Sequence, residues 1–103
     1  MRRLEGKKAL VVGAAGKDNM GQTIARRFAA EGAKVAVAGR HQDVLNELAQ
    51  EISGVAIPCE FTSRESIFSM VDKANREMGG LDIAVNATKQ DMETMIGAAM
   101  AAH

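Results

Sequence analysis

Two kinds of apolar pattern take turns along the chain. Residues 9–12 (Ala-Leu-Val-Val) form an unbroken apolar run, which suits a strand covered on both faces. Ile24, Ala25, Phe28 and Ala29 instead recur at three- and four-residue spacing, as one face of a helix does. Continued to the end, this reading predicts strands near residues 7–13, 34–39, 55–59 and 81–86 and helices over 20–31, 42–53, 63–78 and 90–101. Val44, Leu45, Leu48, Ala49 and Ile52 make the packing face of the second helix, and Ile67, Phe68, Val71 and Ala74 that of the third. Met92, Met95, Ile96, Ala99 and Met100 share a face of the fourth, where methionine serves as adaptable packing. Gly32 and Gly54 stand where left-handed residues end helices, and Thr62 with Glu65 forms a capping box ahead of the third.

Strictly alternating strands and helices with short connections specify repeated βαβ units. Right-handed crossovers place helices on both faces of a parallel sheet in the order 3-2-1-4, with a ligand crevice between strands one and four. The expectation is an α/β, Rossmann-like fold of four strands, C-terminally incomplete, in which residues 1–103 form one domain and residues 89–103 an atypical final helix.

The connection after the first strand carries the chemistry. Gly13, Gly16 and Gly21 punctuate a turn between a buried strand and a helix, whose first N–H groups lack partners and whose dipole favours an anion. That arrangement reads as a dinucleotide phosphate site. The spacing matches neither G-x-G-x-x-G nor the triphosphate loop G-x-x-x-x-G-K-[ST], and Asp18 after Gly16-Lys17 argues against a triphosphate. A tight strand-to-helix connection without ligand is the alternative, and Asp18 with Asn19 then serves only to stabilise the turn.

Composition narrows the classes. Thirteen Lys and Arg balance thirteen Asp and Glu, so the excess basic charge that nucleic acid or an anionic membrane calls for is missing. The cluster Arg2, Arg3, Lys7 and Lys8 reads as a solvated flank of the first strand. One cysteine, Cys59, cannot make an internal disulfide and fits a reducing compartment, which predicts a cytoplasmic location; its place at a strand end marks it as a small core residue. Its apolar runs are too short for a secretory leader or for the roughly 20 residues that cross a bilayer.

Residues 6–88 resemble the N-terminal half of the short-chain dehydrogenase/reductase family. The likeness rests on the Gly13–Gly21 turn, Glu31-Gly-Ala-Lys-Val35, Ala38-Gly-Arg40, Cys59-Glu-Phe-Thr62 and Gly80-Leu-Asp-Ile-Ala-Val-Asn86-Ala. Val12 replaces the threonine of the family's T-G-x-x-x-G-x-G, and the last glycine comes two residues later, as in an enoyl-reductase-like variant. The resemblance implies that Gly13, Ala15, Gly16, Met20 and Gly21 hold the cofactor's phosphates, that Glu60 and Phe61 border the adenine, and that Asn86 and Ala87 stand at the family's N-N-A-G, with Lys89 in place of its glycine. Gly39 occupies the position where an acidic residue would select NAD(H), and Arg40 beside it can pair with a 2′-phosphate, so NADP(H) is favoured over NAD(H). The competing role for Arg40 is to solvate the strand end.

The family's proton transfer needs a tyrosine, a lysine four residues later and a serine. This sequence has no tyrosine, and its two histidines have no nucleophile or metal-ligand partners in a shared motif. The expectation is therefore a cofactor-binding portion of an oxidoreductase that moves hydride between NADP(H) and a carbonyl or alcohol, with no turnover by this chain. The alternatives are a non-catalytic nucleotide-binding or sensing module and a self-associating fragment without ligand. A homo-oligomer is expected, because the strand at residues 81–86 leaves an open edge.

Overall fold

A computed structural model of the protein describes residues 3–14, 20–88 and 92–102. The elements follow in the order β1 (Lys8–Val12), α1 (Met20–Ala30), β2 (Lys34–Gly39), α2 (Gln42–Ile52), β3 (Val55–Pro58), α3 (Arg64–Met78), β4 (Ile83–Asn86) and α4 (Glu93–Ala101). The strands form one parallel sheet in the order β3-β2-β1-β4. This is the Rossmann-like arrangement that the alternating pattern predicts. Ala9 pairs with Val35 and Ile83, and Val12 pairs with Ala38 and Asn86. The register brings the C-terminal ends of β1, β2 and β4 level, the condition for a shared crevice there.

Why residues 9–12 of the first strand are all apolar is visible in their burial: Ala9, Leu10, Val11 and Val12 are each 0% exposed. Successive side chains point to opposite faces. Leu10, Val12, Ala36, Ala38 and Ile57 join Ile67, Met70, Val71 and Ala74 of α3 and Met92, Ile96 and Ala99 around α4. Val11, Val35 and Val37 join Ala25 of α1 and Leu45, Leu48 and Ala49 of α2 on the other side. Fully burying a side chain such as Leu10, Leu45 or Ile57 contributes about 1.5–3 kcal/mol each before entropy is counted. The predicted helix faces are these faces, and Met70 and Met78 add to the third.

Several boundaries differ from expectation. The left-handed residue after α2 is Ser53 (φ 55°), not Gly54. Gly54 is required for space instead, since a Cβ there would lie 2.3 Å from the Val35 carbonyl oxygen. The capping box of α3 falls one residue after Thr62: Ser63 Oγ accepts from the Ser66 N–H at 3.1 Å, and Ser66 Oγ accepts from the Ser63 N–H at 3.4 Å. Ser63 has the extended backbone that an N-cap needs, which leaves Glu65 in the first turn, where a carboxylate suits the dipole. Gly32 (φ 97°) does take the left-handed conformation foreseen for it.

Near the N-terminal end of β1, Lys8 ties three elements together. Its N–H donates to Asp82 Oδ2 at 2.9 Å, and its Nζ donates to the Gly79 carbonyl oxygen at 3.0 Å, beside the left-handed Gly79 (φ 74°) that ends α3. α4 packs against α3 and begins at Glu93. β4 bounds the sheet, and its four residues are all half-buried, in contrast to β1. Among the described residues no helix is long and apolar enough to cross a membrane.

Candidate functional site

At the C-terminal ends of the strands the chain must turn out of the sheet, and each exit has its own local solution. After β1, Gly13 takes φ 93°, a conformation that side chains disfavour. Space is restricted there as well, because a Cβ on Gly13 would lie 2.7 Å from Thr88 Cγ2 and 3.1 Å from Thr88 N. The exits of β1 and β4 therefore touch at this glycine. The Ala87 N–H donates to the Val12 carbonyl oxygen at 2.8 Å, extending the β1–β4 ladder by one bond.

The amides of this bend are not all available to a ligand. The N–H groups of Gly13 and Ala14 both donate to the Ala38 carbonyl oxygen, at 2.8 and 3.1 Å, which closes the bend onto β2. Among the described residues around this bend, the N–H groups that a helix leaves without an internal partner are those at the start of α1. Met20 opens that helix with 69% of its surface exposed, Gly21 behind it is buried, and no acidic residue stands in the first turn to offset the dipole. Ala15 and Gly16 of the expected site lie outside the described residues, as do Lys17, Asp18, Asn19 and Lys89.

Asn86 ends β4 in a network that sequence reasoning missed. Its Oδ1 accepts from the Thr88 N–H at 3.0 Å and from the Thr88 hydroxyl at 2.5 Å. Its Nδ2 donates to Glu93 Oε1 at 3.1 Å, while Glu93 Oε2 accepts from the Met92 N–H at 3.2 Å. Asn followed two residues later by Thr is a signal for a local side-chain turn, and Glu in the first turn of a helix is a signal for an end contact. The sequence offers both signals, but nothing in it says that one asparagine serves the two at once.

Arg40 and Glu60 stand exposed at the ends of the adjoining strands β2 and β3, which are tied by the Cys59 N–H donating to the Gly39 carbonyl oxygen at 2.8 Å. Phe61 is half-buried and packs against the cluster shared by α3 and α4, so its ring has a core role whatever it borders. Glu60 also lines a groove of about 350 Å³ along β3 and α3, with Cys59, Ser66 and Lys73. In it the Cys59 thiol donates to the carbonyl oxygens of Glu60 at 3.4 Å and Ser66 at 3.5 Å. Burial, and then the negative charge of Glu60, push this thiol from 9.0 up to about 11, so it is not a nucleophile near neutrality. Among the described residues no group of three or more His, Cys, Asp or Glu could hold a metal ion.

The geometry can be set beside known proteins. A family model described as enoyl-(acyl carrier protein) reductase matches residues 13–97. An uncharacterised oxidoreductase of Staphylococcus aureus strain MRSA252 is 37% identical over 100 residues, covering 93% of this chain and 42% of its own. A short-chain dehydrogenase from Mycobacterium smegmatis superimposes with a TM-score of 0.77 at 34% identity, over 84% of this chain and 37% of that one. A hydroxysteroid dehydrogenase from Escherichia coli gives 0.76 at 35% identity, over 82% and 36%. The chain thus spans less than half the length of each of these three proteins.

Proposed function

Because the chain belongs to the short-chain dehydrogenase/reductase family, whose cofactor is a nicotinamide dinucleotide, we propose that residues 1–103 act as one dinucleotide-binding domain with NADP(H) preferred over NAD(H). One observation carries the reading: a left-handed glycine leaves the central strand of a 3-2-1-4 sheet toward a helix N-terminus free of acidic residues in its first turn. A diphosphate is the group that such an end accepts.

Each residue then has a part. Ala15, Gly16, Met20 and Gly21 present the turn and the start of α1 to the diphosphate, and Gly13 lets the chain enter that turn. Arg40 pairs with the 2′-phosphate, a charge-assisted contact that an acidic residue at position 39 would oppose. Glu60 and the edge of Phe61 border the adenine, and Asn86 with Ala87 meets the ribose next to the nicotinamide through the backbone.

When bound, the dinucleotide would supply hydride for exchange with a carbonyl or alcohol. This chain's part is to bind and orient it, because no tyrosine is present to move the accompanying proton. Titration of the purified chain with NADPH and NADH, its intact mass measured alongside, tests the proposal. Saturable binding with NADPH the tighter supports it, and no binding of either overturns it.

A second reading, that the chain self-associates without ligand, is favoured by β4. That strand bounds the sheet with four half-buried residues, and it carries neither the proline nor the charge that blunt an exposed edge. Sedimentation over a dilution series should show a homo-oligomer that dissociates. A monomer at all concentrations would refute it.

A further inference from the structure

The contact between the exits of β1 and β4 is set by a side chain that lies outside every position assigned above. We infer that Glu93 is a positioning residue: its carboxylate locks the Asn86 amide in one orientation and so holds Thr88 against Gly13. The inference rests on the proposed binding reading only for its effect on a dinucleotide, since the lock itself is internal to the chain.

The orientation follows from the chemistry of the partners. An amide presents an acceptor oxygen on one side and a donor NH₂ on the other. The Thr88 backbone N–H can only donate, and it lies 3.0 Å from Asn86 Oδ1. An ionised Glu93 can only accept, and its Oε1 lies 3.1 Å from Asn86 Nδ2. Rotating the amide by half a turn would set donor against donor and acceptor against acceptor. The carboxylate is itself held, by the Met92 N–H at 3.2 Å and by its place at the positive end of α4, where Met92 provides no side-chain cap.

The consequence reaches the first glycine. With Asn86 fixed, Thr88 is bound through both its N–H and its hydroxyl, and its methyl is directed at the space that a Cβ on Gly13 would occupy. Val12 and Asn86 are register partners, so the chain of contacts from α4 to the β1 turn crosses a single pair of strands. Glu93 touches no ligand in this arrangement. It acts through Asn86 and Thr88 on the approach of Thr88 to Gly13.

The test compares the full chain with Glu93→Ala and Glu93→Gln, reading NADPH affinity by titration and the Asn86 side-chain NH₂ signals by NMR without ligand. Glutamine keeps an acceptor for Asn86, whereas alanine removes it. Glu93→Ala should weaken NADPH about tenfold, the usual scale for a lost bond to a charged group, and should shift the Asn86 signals. Glu93→Gln should restore both most of the way. Affinity and signals unchanged in Glu93→Ala, or Glu93→Gln as impaired as alanine, would overturn the inference. Should the parent chain bind neither dinucleotide, the functional reading fails by itself, and the NMR comparison still decides whether Glu93 sets Asn86. Thermal unfolding of all three chains separates loss of orientation from loss of fold.

Discussion

The two ends of the candidate site are built differently. At the inner end, between β1 and β4, the chain is fixed by backbone: Gly13 and Ala14 donate to Ala38, Ala87 donates to Val12, and Thr88 lies on Gly13. At the outer end, beyond β2 and β3, Arg40 and Glu60 stand exposed. The inner end should therefore tolerate almost no change of shape, and the outer end almost any, provided that charge is kept. Under the proposed function both ends meet the dinucleotide, but the bonds that also hold the strands together lie at the inner one.

The largest effect is expected from Gly13→Val. It places a β-branched residue at φ 93° and its Cβ within 2.7 Å of the Thr88 methyl. Strain and overpacking together should lower stability by more than about 3 kcal/mol, measured by urea unfolding, with dinucleotide binding lost as well. A variant within about 1 kcal/mol of the parent would show that the inner end can relax, and the contrast would fail.

How much of this was legible beforehand differs between the ends too. The switch from an unbroken apolar run to helical spacing is enough for parallel βαβ units buried on both faces, and the rules of right-handed, doubly wound sheets supply the order 3-2-1-4. The pattern places Gly13 and Asn86 at the exits of neighbouring strands, but says nothing of their contacts. That Thr88 would rest on Gly13 depends on two segments 75 residues apart reaching the same place, and no local pattern encodes such an approach. The caps were misplaced by one residue at Ser53 and Ser63 for a related reason. Which of two adjacent residues takes the unusual backbone is decided by where the next strand or helix has to start.

At the outer end, Arg40→Asp should leave stability nearly unchanged, since an exposed side chain at a strand end contributes little to the fold. NADPH affinity should fall about tenfold or more, the value of a charge-assisted phosphate contact, while NADH affinity holds or rises. Raising the salt concentration should narrow the parent's preference by screening the same contact. An unchanged ratio of the two affinities would remove Arg40 from recognition and leave it as a solvated strand end.

A smaller change placed away from both ends sharpens the comparison. Ser53 holds a left-handed conformation without being glycine, so Ser53→Gly should stabilise the chain by about 1 kcal/mol or less. Binding of either dinucleotide should stay as it was. A shift in affinity would mean that stability anywhere in the sheet feeds into the site, and the contrast between its two ends would weaken.

The smallest effect belongs to Cys59, beside Glu60 at the outer end. Its thiol is held in the neutral form, from 9.0 up to about 11, by burial and by the Glu60 charge. A group that keeps its proton more tightly when folded contributes stability that is fully present below the ordinary value of 9.0 and is lost as pH rises through about 11. The contribution is modest, since the thiol remains partly open to solvent. Alkylation is the more sensitive readout: at pH 8 the native chain should react about tenfold or more slowly than the same chain in denaturant, with the gap closing toward pH 11. Glu60→Gln should speed the native reaction slightly, because it removes the second cause and leaves burial in place. Equal rates for native and unfolded chains would mean that the groove along β3 and α3 is open to solvent, and that the outer end is looser than its exposed charges alone require.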